Sequence, residues 1–166
     1  MIAFAETSVP YAPTLAPIVR DWALSWEPKP RISTEQWAEE NVHLPEQITP
    51  MPGPFLIKRS PYVRGPFRAF DDPVTKQMTL VWGTQLAKTL VLQILLAKVA
   101  ATIPAPCLLA TPDLSSNRKL RDKFKLICQE SPNIWEIAGV HEWNDKVLAF
   151  ARNLVFLGYA GSTQTL

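Results

Sequence analysis

The stretch KQMTLVWGTQLAKTLVLQILLAKVAAT, residues 76–102, narrows the folds open to this chain more than any other. KQMTLVWG (76–83) is a short apolar run ending on a glycine, which reads as a buried strand. AKTLVLQILLAKVAAT (87–102) has the length and composition of a helix. A strand that feeds a tight turn, with a helix N-terminus at its exit, is the framework of a phosphate-binding loop. Backbone N–H groups gather there at the positive end of the helix dipole. The full pattern is G-x-x-x-x-G-K-[ST]. Lys88 and Thr89 supply its cation and hydroxyl, but Ala87 takes the place of the second glycine and Gly83 falls one position late. Lys-Thr also opens ordinary apolar helices, so residues 83–89 alone leave a nucleotide site and a plain core helix both open.

The following segments extend the alternation. PCLLATP (106–112) reads as a second buried strand. LSSNRKLRDKFKLICQE (114–130) reads as an amphipathic helix with Leu120, Phe124, Ile127 and Cys128 on one side. IWEIAGVHEW is a short helix or irregular, and KVLAFARNLVFLGYAG (146–161) fits a hairpin or two short strands around Arg152-Asn153. Strands alternating with helices predict an α/β fold with a parallel sheet. A right-handed crossover through the 87–102 helix would lead to the 106–112 strand.

The first half reads differently. It holds twelve of the chain's sixteen prolines, a total about twice average usage. Residues 1–50 are expected to form a proline-rich N-terminal arm with short helices, one of them in PIVRDWALSW. ISTEQWAEENV (32–42) carries Ser33 or Thr34 ahead of a Glu or Gln, a capping box opening another. Pro45, Pro50, Pro52 and Pro54 predict irregular chain over 44–55. SPYVRGPFRAFDD (60–72) predicts a helix started or broken near Gly65-Pro66, with Tyr62, Phe67 and Phe70 on its apolar face.

Composition adds few exclusions. With 47% hydrophobic and 19% charged residues the chain is an ordinary folding sequence, and a net charge of +2 gives no overall nucleic-acid footprint. Arg118, Lys119, Arg121, Lys123 and Lys125 make one helix locally basic, for DNA backbone or simply as a solvated face broken by Asp122. Cys107 and Cys128 lack metal-like spacing and read as buried thiols. His43 and His141 have no evident partner, and no metal cluster is expected. The longest apolar stretch, LVLQILLAKVAA, contains Gln93 and Lys98 and is too short to span a bilayer, so no membrane role is expected. Asp71-Asp72 precede a strand instead of ending one, and Asp113 in TPDLSS reads as a helix-capping turn.

Beyond these local readings, the chain resembles the N-terminal part of the ATPase domain of phage terminase large subunits, the lambda GpA-like group. That group looks like ISxxxWAxExxxLP, then PGPxxxxRxPYxR, then a DP-led run ending QxGKT. The matching residues are Ile32, Ser33, Trp37, Ala38, Glu40, Leu44 and Pro45, then Pro52-Gly53-Pro54, Arg59, Pro61-Tyr62 and Arg64. They continue with Asp72-Pro73, Gln85, Lys88 and Thr89. PCLLATPDLSSNRKLRDKFKLICQESP and LVFLGYAGSTQTL resemble later segments, so the resemblance covers residues 26–166.

The resemblance implies a P-loop NTPase of the ASCE/RecA-like kind, with an incomplete parallel core over 51–166. It implies ATP and Mg²⁺: Gly83, Thr84, Gln85, Leu86 and Ala87 would line the loop, Lys88 would bind phosphate, and Thr89 would hold Mg²⁺ through its hydroxyl. Tyr62 would lie near the adenine, or else pack in the core. Arg59 and Arg64 would aid the nucleotide or be solvated. The implied activity is ATP hydrolysis driving double-stranded DNA into a capsid in the host cytoplasm, with the small terminase subunit and the portal or procapsid as partners. Three departures stand against full activity. Ala87 replaces glycine, Trp82 stands where the group often has Lys or Arg, and no apolar run ends in the Asp-Glu of a Walker B strand, nor does a nuclease segment follow. The expectation is that no catalytic residue is assigned and that this chain alone does not hydrolyse ATP. The alternative is a non-catalytic terminase-like interaction protein that binds a packaging partner. An open sheet edge is expected to favour self-association or a partner strand.

Overall fold

The computed structural model describes residues 32–103, 105–138, 140–151 and 153–160. The expected helix in PIVRDWALSW and the turn at 161–166 lie outside the described residues. The elements in chain order are α1 (Thr34–Asn41), β1 (His43–Leu44), β2 (Gly53–Pro54), two 3-10 turns (Ile57–Arg59, Pro61–Val63) and α2 (Arg64–Asp71). They continue with α3 (Lys88–Thr102), β3 (Cys107–Thr111), α4 (Leu114–Glu130), α5 (Pro132–Ala138), β4 (Val140–Trp143), β5 (Val147–Phe150) and β6 (Leu154–Tyr159). This is a mixed α/β fold.

The main sheet has the order β3-β6-β5-β4. β3 and β6 run parallel, from Cys107↔Val155 to Thr111↔Tyr159, while β5 pairs antiparallel with both β6 and β4. The sheet is therefore mixed, where a parallel one was expected. The β5–β6 hairpin accounts for the difference: strands joined by so short a turn can only return antiparallel. At the β4–β5 turn the Asn144 side-chain oxygen accepts from the N–H groups of Lys146 (2.8 Å) and Val147 (2.7 Å), an Asx turn that reverses the chain.

The core forms around α3, whose Val91, Ile94, Leu95, Ala97, Ala100 and Ala101 are buried. α4 contributes Phe124, Ile127 and Cys128, and the sheet contributes Leu148, Phe150, Val155 and Leu157. β6 alternates Leu154 out, Val155 in, Phe156 out, Leu157 in, the period of a half-covered strand. Phe124 stacks on Trp143 at 5.6 Å, and both meet Phe150 edge-on.

The expected strand at 76–83 forms no ladder with any described residue. Met78, Leu80 and Trp82 lean on the core while Thr79 and Val81 face out, with Val81 85% exposed. The apolar run therefore signalled one packed face, not a buried strand. Packing needs only side chains, but a strand also needs a neighbour for its N–H and C=O groups. Two smaller differences lie nearby. The proline-rich 44–55 stretch takes part in a two-residue ladder, Leu44↔Gly53 and His43↔Pro54, at an edge where a missing N–H is tolerated. Residues 134–143 divide between α5 and a strand, β4, that the sequence pattern did not announce.

α1 carries half of the expected capping box. The Ser33 hydroxyl accepts from Gln36 N–H at 3.2 Å, but the Gln36 side chain donates forward to Glu40 at 2.7 Å instead of back to the cap. A buried polar cluster closes the end of the core where α1, α2 and α3 meet. Lys98 donates to Thr34 Oγ1 (2.7 Å), Asp71 Oδ1 (2.9 Å) and the Ile32 carbonyl (3.1 Å). Thr34 donates to the same carboxylate through its N–H and its hydroxyl, both at 2.6 Å. Among the described residues no helix is long and apolar enough to cross a membrane.

Candidate functional site

α3 begins at Lys88 without a side-chain cap, and its first hydrogen bond runs from Val91 N–H to the Ala87 carbonyl at 2.9 Å. The N–H groups of Lys88, Thr89 and Leu90 find no acceptor among the described residues. A 15-residue helix thus opens on a run of unsatisfied donors, carrying the partial positive charge of its dipole. Lys88 folds back, and its ammonium donates to the Trp82 carbonyl at 2.9 Å. Thr89 is exposed, and its hydroxyl has no partner among the described residues.

The loop reaches this geometry through two left-handed residues that are not glycine, Gln85 (φ 61°) and Ala87 (φ 55°). Gly83 is not left-handed, and a Cβ there would meet only the Leu86 side chain, at 3.4 Å. The strain therefore sits at Gln85 and Ala87, and the second is where the motif expects glycine. Left-handed backbone costs a β-carbon-bearing residue about 1–2 kcal/mol, and glycine's extra freedom in the unfolded chain offsets part of that. Ala87→Gly should stabilise the fold by about 1 kcal/mol. Thermal or urea unfolding checks this, and an unchanged or lowered midpoint would contradict the strain.

The Tyr62 ring meets the Trp82 indole edge-on, with centroids 5.4 Å apart and planes at 87°. Tyr62 is 43% exposed, so it is not a core aromatic; of its expected apolar face, Phe67 is the fully buried member. Arg64 lies 3.7 Å from Glu35, which also holds Arg68 at 2.9 Å, and Arg59 is exposed. On α4, Arg118 and Arg121 both bind Asp145, and Arg121 also pairs with Asp122. Lys119, Lys123 and Lys125 remain on the exposed face.

The acidic residues Asp72 and Asp113 have other duties. Asp72 accepts from Val74 N–H and the Thr75 hydroxyl in a turn. Asp113 caps α4, accepting from Ser116 N–H at 2.9 Å and the Ser116 hydroxyl at 2.7 Å, which holds its carboxyl down at about 2. Cys107 and Cys128 are free thiols, and burial pushes that of Cys128 far up, so it is unreactive in the fold. Among the described residues no three His, Cys, Asp or Glu gather as a metal site.

The sequence around this geometry matches a known family. The family model for the phage terminase large subunit gpA ATPase domain matches residues 49–150. The chain belongs to that family. The matched span holds Tyr62, the loop, α3, β3 and α4, so the terminase ATPase domain family covers every candidate site residue. α1 and β6 lie outside it, although both pack into the same core. No curated protein matches the chain. Sequence reasoning placed Lys88 and Thr89 at a helix start, but it missed that Trp82 touches both Lys88 and Tyr62. No spacing rule signals such a contact; Trp82 stood out only as a departure from the terminase pattern.

Proposed function

We propose that residues 51–166 form the nucleotide-binding, N-terminal half of a P-loop ATPase core, preceded by an arm over residues 1–50. In this reading Gly83, Thr84, Gln85, Leu86 and Ala87 line the phosphate loop of a terminase motor. The observation that carries it is the uncapped start of α3, with its run of N–H donors lacking acceptors beside Lys88 and Thr89. Those donors suit a polyphosphate: a point cation, a hydroxyl for Mg²⁺ and backbone N–H groups at a helix N-terminus. The Ala87 methyl group is a misfit within the loop, where close backbone approach favours glycine. Mg²⁺, when bound, would neutralise charge on the phosphate oxygens. Tyr62 offers its exposed ring to the adenine.

ATP hydrolysis coupled to packaging of double-stranded DNA is proposed for the assembled motor, in the host cytoplasm, with the small terminase subunit and portal or procapsid as partners. Asp71 is tied to Lys98 and Thr34, Asp72 is held in a turn and Asp113 in a cap, so no catalytic role is assigned to them. On α4, Lys119, Lys123 and Lys125 are the cations left to meet DNA phosphates.

A second reading, a non-catalytic interaction protein, draws on a separate observation. Leu108 and its ladder partner Phe156 face outward, 63% and 42% exposed, and 76–82 offers an unladdered edge. That surface also favours self-association. Calorimetry of Mg²⁺–ATP against the chain and its Ala87→Gly variant separates the readings. The nucleotide reading expects saturable binding, tighter in the variant. Absence of binding to both, with the fold intact, would leave the interaction reading.

A further inference from the structure

Trp82 is held at two points that serve different parts of the proposed site. Its ring braces Tyr62 edge-on at 5.4 Å, and its carbonyl accepts the Lys88 ammonium at 2.9 Å. The indole is half-buried against the core, whereas Tyr62 is exposed at the mouth of the loop. The Tyr62 hydroxyl reaches the Ser60 hydroxyl, at 3.4 Å, and among the described residues the Trp82 indole is the aromatic partner of its ring. We propose that Trp82 is a positioning residue that couples the phosphate loop to an aromatic platform at Tyr62, so that a planar base linked to a polyphosphate is gripped at both ends.

This rests on the nucleotide reading and adds to it. Without ligand, Lys88 spends its charge on a neutral carbonyl. A polyphosphate is the stronger acceptor, because charge-assisted hydrogen bonds are about twice as strong as neutral ones. When Lys88 turns to it, the Trp82 carbonyl is released at the residue preceding Gly83, and the indole is free to follow the base that stacks on Tyr62. An aromatic pair at this distance and angle contributes about 0.5–1.5 kcal/mol beyond area burial. Its loss should be felt by ligands that carry a base and not by the phosphate chain alone.

The test is calorimetry of ATP and of inorganic tripolyphosphate, each with Mg²⁺, on the full chain and on Trp82→Ala, Trp82→Phe, Tyr62→Ala and the double alanine variant, with melting curves for each. Trp82→Ala should weaken ATP roughly 3- to 10-fold while leaving tripolyphosphate within about 2-fold. Trp82→Phe, which keeps an edge-on ring, should recover most of the loss. The double variant should be no worse than the poorer single one, because the two rings act as a unit. Equal weakening of both ligands by Trp82→Ala would overturn the coupling, as would additive losses in the double variant. If tripolyphosphate binds neither the wild-type chain nor Ala87→Gly, the nucleotide site itself fails and the coupling falls with it. If it binds and the Trp82 variants fail to discriminate, only the coupling is lost.

Discussion

Lys88→Ala should weaken Mg²⁺–ATP binding by roughly 10- to 100-fold, the equivalent of one or two charge-assisted hydrogen bonds. The substitution removes the cation that opens α3, beside N–H groups that find no acceptor among the described residues. The fold should hardly notice. Among the described residues the Lys88 side chain makes a single hydrogen bond, to the Trp82 carbonyl, near the surface end of a helix whose buried face begins at Val91. Isothermal calorimetry at fixed salt beside a urea melt gives both numbers. Lys88→Arg should recover only part of the affinity, because a planar fork does not occupy the space of a compact ammonium. A variant that melts earlier but binds ATP as well as the wild type would mean that Lys88 merely ties down Trp82, and the nucleotide reading would lose its main support.

That experiment also separates what was legible in the sequence from what was not. α3, β3 and α4 are local: periodicity, a capping aspartate and turn residues specify them, and Asp113 caps α4 as TPDLSS predicts. The strand expected at 76–83 forms no ladder with any described residue, and that was not legible, because pairing depends on a neighbour that no local pattern encodes. The parallel sheet was misread for a related reason. Alternation of strand and helix holds as far as α4, and the hairpin that follows turns β5 antiparallel. At the candidate site, the placement of Lys88 and Thr89 at a helix start and the conflict at Ala87 were readable in the residue types. The left-handed turn at Gln85 and the Tyr62–Trp82 contact were not, since they join residues through loop conformation and packing twenty positions apart. Lys98 is a further case. It read only as a polar interruption of an apolar helix, yet it closes a three-element cluster.

Lys98→Ala should cost about 2–4 kcal/mol of stability, the largest loss expected of any polar residue here. Its ammonium spends all three protons, on Thr34, Asp71 and the Ile32 carbonyl, and is only 10% exposed. Truncation leaves the Asp71 carboxylate facing the core with a partner missing. Asp71 is itself 29% exposed and regains some water, so the cost falls short of that for a fully buried pair. The pH dependence identifies the carboxylate. Burial pushes the Asp71 pKa up, but the Thr34 hydroxyl, the Thr34 N–H and Lys98 outweigh it, and the carboxyl lies below its ordinary 3.8. A group depressed on folding stabilises fully above its unfolded value, and that stabilisation is lost as pH falls through the folded one. Wild-type stability should therefore decline below about pH 4. Lys98→Met, lacking the cation, should decline less steeply, and adding Asp71→Asn should return part of the neutral-pH loss. Urea unfolding across that range measures all three. ATP affinity should not change in these variants while they are folded, since Lys98 lies ten residues, about 15 Å, along α3 from Lys88. Parallel acid slopes for wild type and Lys98→Met would show that the cluster is not electrostatically coupled.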